Sequence, residues 1–378
     1  MNKTGWKQVK LGEICSGESS NVSQNKIQHL MGNYPIFGAS GYIQNIDFYK
    51  QDKEYIGVVK DGAGVGRVMR LPAESSILGT LQYIIPNKGT DINFLFYLLG
   101  KLKLDRYASG ATIPHIYYRD YSNEKVLLPP FETQRHIAAT LDKANELIAL
   151  RKKQLEELDA LAESVFYELF GDPVKNEKRW EKLTLSQFYK NGNSAIKCGP
   201  FGSALKKEEY TSFGIPVWNM DNISKNGKFD SSVNLWINTQ KYKELESYNV
   251  IDGDIIISRA GTVGKMCVVK SQYPQSIIST NLIRLRLNDK LLPLFFVFLM
   301  TCYGNKICRL KVGEDGAFTH MNTGVLNSII FPYPPLSLQV RFATIIEKIE
   351  EQKTLVRQAL KESEDLFQRL MEDLFHPK

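Results

Sequence analysis

The chain builds one junction twice. "LPPFETQRHIAATL" (128–141) sets two prolines directly before a long amphipathic run, and "YPPLSLQVRFATII" (333–346) does so again. Pro129 and Pro130 correspond to Pro334 and Pro335, and Gln134 to Gln339, each 205 positions later. Proline has its φ pre-set for the first turn of a helix, where its missing N–H leaves nothing unpaired, so both sites read as helix entries. Beyond the first, Ile137, Leu141, Ala144, Ile148, Arg151, Leu155, Leu158, Ala162, Val165 and Leu169 follow one another in alternating steps of four and three. Phe342, Ile346, Ile349, Lys353, Val356, Leu360, Ser363, Phe367, Leu370 and Leu374 repeat the series in the second copy. That is a heptad seam, interrupted at matching places by Arg151 and Lys353, and again by Ser363.

Each run predicts a helix of roughly 38 residues, about 57 Å long. "GDP" (171–173) ends the first and His376-Pro377 the second. One apolar stripe on a helix this long needs a cover, and pairing of the two helices supplies it; the alternative is that each lies on its own globular domain.

The junction belongs to a longer repeat. "WKQVKLGEI" (6–14) returns as "WEKLTLSQF" (180–188), "IGVVKDGAGVGRV" (56–68) as "DIIISRAGTVGKM" (254–266), and "YASGATIPHI" (107–116) as "VGEDGAFTHM" (312–321). The offset grows from 174 through 198 to 205, so the second copy carries insertions in an unchanged order. A period this long is a duplicated domain and not a solenoid. "EYIGVVK", "ILGTLQYIIP", "DIIISR" and "LIRLRL" read as strands, and "INFLFYLLGKL" and "PLFFVFLMTCYG" as one apolar helix per copy. The resulting division is 1–130, 131–172, 173–335 and 336–378.

Net charge follows that division: +4, −4, +8 and −1 in turn. Two basic β-rich segments separated by acidic helices point to a phosphate-bearing partner, with scattered surface charge as the plainer alternative. Five cysteines with no C-x-x-C pair argue against a disulfide framework or a zinc site and suit a reducing cytoplasm. No secretory leader opens the sequence, and the most apolar run, "LLPLFFVFLM" (291–300), is half of what a membrane span needs.

Enzymatic motifs fail one by one. Amino-methyl transfer requires Asp, Asn or Ser before Pro-Pro-aromatic to hold the target amine; Leu128 and Tyr333 occupy that place. "RAGTVGKM" departs from a phosphate loop at Arg259 and Met266. The glycines of "DGAGVG" lead into a strand, "RVMRLP", and the five histidines form no ligand cluster. The one acidic-x-Lys triplet, Glu351-Gln352-Lys353, lies in the seam helix, so no nuclease carboxylate site is visible.

Two β-rich domains, each followed by a proline-initiated long helix, resemble the specificity subunit of type I restriction–modification systems. The resemblance covers nearly the whole chain. It is carried by residues 127–173, by "CGPFGSALKKEEY" (198–210), by Trp6 and Trp180 at the repeat starts, and by "GATIPHI" (110–116). It implies an α+β fold in which the two helices pack as an antiparallel coiled coil with pseudo-twofold symmetry. Each recognition domain would read half of a bipartite site on double-stranded DNA. The helices would set the spacer and dock two methyltransferase subunits, which a translocating nuclease subunit then joins. The chain itself would be a non-catalytic, cytoplasmic protein without metal or cofactor; S-adenosylmethionine, and ATP with magnesium, would belong to the partners. The first copy lacks a counterpart of "GPFGS", which leaves open which of its loops enters the DNA. A coiled-coil protein scaffold is the main alternative class, and a catalytic methyltransferase or nuclease the other.

Phosphates are held by Lys, Arg and backbone amides, and bases are read by loop side chains. The candidates for DNA contact in the first domain are Lys60, Arg67 and Arg70 around the Gly-rich turn, with His115 and Arg119. In the second they are Lys197, Ser203, Lys206, Lys207, Arg259, Lys265, Thr319, His320 and Asn322. Gly62, Gly64, Gly66, Gly261 and Gly264 would let backbone approach the duplex. Tyr117 and Tyr118 read first as packing residues.

Overall fold

A computed structural model describes residues 5–110, 112–224, 227–259, 264–303 and 322–375. Packing divides the chain into two units, residues 1–155 with 355–378 and residues 156–354. Each unit holds one β-rich segment and one half of each long helix.

In the first unit β1 (Lys7–Lys10), β2 (Cys15–Ser19), β3 (Tyr34–Gly38), β4 (Gly41–Ile46), β5 (Tyr55–Val59), β6 (Val68–Leu71), β7 (Ser76–Ile77), β8 (Leu81–Pro86) and β9 (Lys125–Leu128) form three small sheets. Their orders are β2-β8-β5-β6, β4-β3-β7 and β1-β9. Every residue of β5 is buried, as the β-branched run "YIGVV" demands of a strand covered on both faces. The apolar helix α1 (Ile92–Lys101) starts at Asp91, whose carboxylate accepts the N–H of Phe94 at 2.9 Å, a normal N-cap. It packs with β5, β8 and the last turns of the C-terminal helix; Phe94 stacks on Phe375 with ring centroids 5.3 Å apart.

The second unit repeats the plan with β10 (Glu181–Thr184), β11 (Ile196–Cys198), β12 (Ile215–Trp218), β13 (Trp236–Ile237), β14 (Ile255–Ser258), β15 (Met266–Val268), β16 (Ile277–Ile278), β17 (Leu282–Leu285) and β18 (Ile330–Tyr333). The orders β11-β17-β14-β15, β13-β12-β16 and β10-β18 copy those of the first unit strand for strand. The first and last strands of each repeat, β1 with β9 and β10 with β18, pair antiparallel. That pairing brings the tryptophan-led start of each repeat beside its proline junction.

The two long helices are α2 (Phe131–Phe170) and α4 (Leu336–Phe375); between them in sequence lies the apolar α3 (Pro293–Tyr303). Both long helices begin directly after their proline pairs and run 40 residues each. At the end of α2 Gly171 takes a φ of +73° and donates its N–H to the Tyr167 carbonyl, closing the last turn as a left-handed cap. Trp180 donates its indole N–H to the Phe170 carbonyl at 2.9 Å. His376-Pro377 lies outside the described residues.

The seam is real within each unit. In the second, Phe166 packs edge-on against Phe342, and Lys353 donates to Asp159, so rising numbers on α2 meet falling numbers on α4. The pairing is antiparallel. In the first, Arg151 donates from Nε to the Ser363 hydroxyl at 3.0 Å, and Ile137 and Leu141 share a core with Phe367, Leu370 and Leu374. The polar interruptions are thus each given a partner across the seam. Lys353 has a 2 % exposed side chain. Burial pulls its ammonium pKa down, but Asp159 and Glu350 outweigh that and hold it above its ordinary value.

Candidate nucleic-acid interface

Each unit closes one hairpin with the same pair of hydrogen bonds. In the first, Val59 donates its N–H to the Arg67 carbonyl at 2.9 Å and accepts from Gly66 at 2.8 Å. In the second, Ser258 donates to Lys265 at 2.8 Å and accepts from Gly264 at 3.1 Å. Gly66 and Gly264 both have φ +84°, a conformation that glycine adopts freely. At Gly66 space enforces the same choice, because a Cβ would stand 2.4 Å from the Asp105 nitrogen. The residue leaving the inner strand is basic in both: Lys60 donates its backbone N–H to Thr80, and Arg259 to Asn281, each at 2.9 Å. The residue after the glycine is basic too, Arg67 in one unit and Lys265 in the other. Two cations therefore stand at the paired strand ends of this hairpin in each unit.

In the first unit the segment around "GATIPHI" is stitched onto this turn. Gly62 donates to the Pro114 carbonyl and Ile116 to the Lys60 carbonyl, each at 2.9 Å. His115 sits edge-on to Tyr117, centroids 5.2 Å apart, and the Arg119 guanidinium lies 5.0 Å over the Tyr117 ring. Lys60, Arg67, His115 and Arg119 are so gathered by one hydrogen-bonded assembly. Tyr117 is exposed, whereas Tyr118 packs: a Cβ at Gly17 would meet its side chain at 2.3 Å, and its hydroxyl donates to the Cys15 carbonyl.

Arg70 is not part of that assembly. It stands on β6 and turns to α2, donating to Asp142 at 2.6 Å and to Asn93 at 2.8 Å, with its guanidinium 4.6 Å over Phe96. With the Tyr97 hydroxyl also accepting from it at 3.4 Å, three polar partners and an aromatic face satisfy it, so we assign it to scaffolding. Asn322 is likewise engaged: its side-chain carbonyl accepts the N–H of Val325 at 3.0 Å and caps the helix Thr323–Asn327. Thr319, His320 and Gly261 lie outside the described residues.

The remaining candidates of the second unit sit on β11 and the loop after it. The Lys197 ammonium is 4.9 Å from the Tyr248 ring. Ser203, Lys206 and Lys207 are exposed. Glu209 follows the two lysines, and Lys241 reaches it at 2.7 Å, which draws the Glu209 carboxyl below its ordinary pKa. Lys241 thereby offsets one of the two acids, Glu208 and Glu209, that follow the lysines. Sequence reasoning had no signal for it, since it comes from the distant segment after β13.

Among the described residues no group of three His, Cys, Asp or Glu side chains is placed to hold a metal ion, and no helix is long and apolar enough to cross a membrane.

Comparison with known proteins gives this geometry its context. A family model for the type I restriction modification DNA specificity domain matches residues 3–160 and again 177–364. The MjaVIII specificity subunit of a type I restriction enzyme from Methanocaldococcus jannaschii is 25% identical over 400 residues, covering 97% of this chain and 91% of that protein. The EcoprrI specificity subunit from Escherichia coli is 26% identical over 147 residues, 37% of this chain and 36% of its own. The solved type I restriction–modification S subunit from M. genitalium superposes with a TM-score of 0.64 at 16% identity, over 100% of this chain and 98% of that one. At that identity the superposition speaks for the fold. With both repeats matched by the family model, the chain belongs to the type I restriction–modification DNA specificity family.

Proposed function

We propose that each unit reads one half of a bipartite duplex DNA site, and that the chain does so as the non-catalytic subunit of a larger complex. The observation that carries this reading is the doubled hairpin, in which Lys60 with Arg67 and Arg259 with Lys265 stand at the paired strand ends. Cations at the exit of a rigid strand are placed to hold phosphates, and this positions neighbouring loops over base edges. In the first unit Lys60, Arg67, His115 and Arg119 take these roles. In the second Lys197, Ser203, Lys206, Lys207, Arg259 and Lys265 do so, with Thr319 and His320 as further candidates from sequence.

The two long helices, paired antiparallel within each unit, would fix the number of unread bases between half-sites and present equivalent docking surfaces to two methyltransferase subunits. A translocating nuclease subunit completes the complex in this reading. S-adenosylmethionine, and ATP with magnesium, would be bound by those partners.

The test is a binding titration of the full chain, alone and with its methyltransferase, on duplexes carrying the site mapped by methylation sequencing of the host. The complex is expected to prefer the intact site over one with either half scrambled, with affinity falling as salt rises. Methyl transfer by the chain alone, or equal binding to scrambled duplexes, would refute the reading.

A further inference from the structure

In the second unit the loop after β11 exposes a phenylalanine where the surrounding backbone leaves little freedom. Gly199 donates its N–H to the Leu282 carbonyl at 2.8 Å, and a Cβ on it would stand 1.9 Å from the Ser279 oxygen. Pro200 is buried behind it, and Leu205 is buried on the far side among Ile215, Val217 and Ile237. Between these anchors the Ala204 N–H donates to the Phe201 carbonyl at 2.8 Å, closing a tight turn. The ring of Phe201 is 78 % exposed, and nothing lies within 4 Å of a Cβ built at Gly202. A loop pinned at both ends thus holds one aromatic ring out in open solvent.

The turn Ser279–Leu282 that anchors this loop also anchors the cationic hairpin. Arg259 donates its backbone N–H to Asn281, and its guanidinium reaches the Thr280 carbonyl at 3.4 Å. The Phe201 loop therefore shares its anchor turn with Arg259, and it has Lys197 on the strand leading into it and Lys206 and Lys207 on the chain leaving it. An apolar ring set among cations matches the chemistry of a duplex: phosphates outside and stacked bases within. Apolar side chains that enter DNA between base steps have this setting.

The matching loop of the first unit holds no aromatic counterpart. There the equivalent turn receives its anchor at Val22, which accepts the Gly79 N–H at 2.7 Å, and the exposed residue between β2 and Val22 is Asn21.

We propose that Phe201 is a wedge: its ring inserts between neighbouring base pairs of the half-site read by the second unit, an insertion that the matching loop of the first unit does not make. This rests on the DNA-reading function proposed above and adds to it a distortion at the half-site read by the second unit.

The experiment uses the full chain assembled with its methyltransferase, and duplexes carrying the mapped site with 2-aminopurine at one position at a time. Insertion unstacks a step, so emission should rise several-fold at one step of the half-site read by the second unit, separate from the adenine that the methyltransferase itself turns out of the stack. Phe201→Ala should abolish the rise and weaken binding roughly 10-fold. Phe201→Trp should keep both signal and affinity, and Phe213→Ala, which removes another exposed ring of the same unit, should leave both unchanged. An unchanged emission profile in Phe201→Ala overturns the wedge. So does a Phe201→Ala chain that no longer assembles with the methyltransferase, because the ring would then be a protein contact. If the wild-type complex itself fails to distinguish the site from scrambled duplex, the DNA-reading function fails first and the wedge with it.

Discussion

The side-chain oxygen of Gln134 accepts the backbone N–H of Asp91 at 2.8 Å, while its amide donates to the carbonyls of Gly89 and Pro129 at 3.1 and 2.9 Å. One buried side chain thus ties the entry of α1 to the proline pair that starts α2. Gln339 repeats the arrangement, accepting from Leu292 at 3.0 Å and donating to Pro334 at 2.9 Å. The doubled junction met in the sequence is a doubled latch.

Gln134→Leu keeps the volume and removes every one of those bonds. It leaves the buried Pro129 carbonyl and the half-buried Asp91 N–H without this partner, so a loss of about 1–3 kcal/mol is expected, read as a lower urea midpoint. Gln134→Glu keeps the acceptor and should lose less at low pH, where its carboxyl can donate. Full stability in Gln134→Leu would show that water replaces the latch.

Asp142 answers to Arg70. Burial raises its carboxyl pKa, but the hydrogen bonds from Arg70 and Tyr97, with the Arg70 charge, outweigh this and leave it below the ordinary carboxylate value. A depressed folded-state pKa stabilises the fold fully above the unfolded value of about 3.9 and loses that contribution as pH falls through the folded value. The pair is about one-third exposed, so solvent screening limits it to roughly 1 kcal/mol at pH 7. Asp142→Asn should lose that amount at neutral pH and show a flatter fall in urea midpoint between about pH 5 and pH 3. An acid limb identical to wild type would place the titrating group elsewhere.

Lys353 and Asp159 make an asymmetric pair, the lysine enclosed and the aspartate 56 % exposed. Removing Asp159 takes away one of the two carboxylates that hold the Lys353 ammonium, the other being Glu350 at 3.2 Å. Asp159→Ala should therefore cost about 1–3 kcal/mol, whereas Lys353→Met, which fills the seam without a charge, should be near neutral or stabilising. Thermal melting of the two variants separates these outcomes, and the reverse order would contradict the account of the seam.

Lys206 and Lys207 test the basic loop. Replacing both by Ala should weaken specific and non-specific DNA binding alike and lower the salt slope by about one unit per lost phosphate contact. An unchanged slope would place them on bare surface.

Most of the fold was legible in the sequence because it is written in repeats and periods. The heptad seam identified both long helices and their covered face, and even its polar positions Arg151, Lys353 and Ser363 proved to be seam residues with partners across it. The Gly66 and Gly264 correspondence located the hairpin in both units. Individual contact residues were harder to read. Arg70 is three positions beyond Arg67, yet it faces α2, because a residue's neighbours across a sheet are set by strand pairing that spacing alone does not reveal. Asn322 looked like a loop residue for base contact and is a helix cap, a role local to the short helix after it. The loop carrying Phe201 was visible as a motif, but the exposure of its ring depends on anchors at Ser279 and Leu282, nearly 80 positions away.

Whether each unit reads its own half of the site can be seen in a methylation map. Residues 177–335 would be exchanged for the corresponding segment of another family member, with both long helices kept, and adenine methylation would be sequenced genome-wide in cells carrying wild type or exchange. The account predicts a bipartite motif in which one half-site changes while the other half and the number of unread bases between them stay as in wild type. A motif in which both halves change, or neither does, would contradict it.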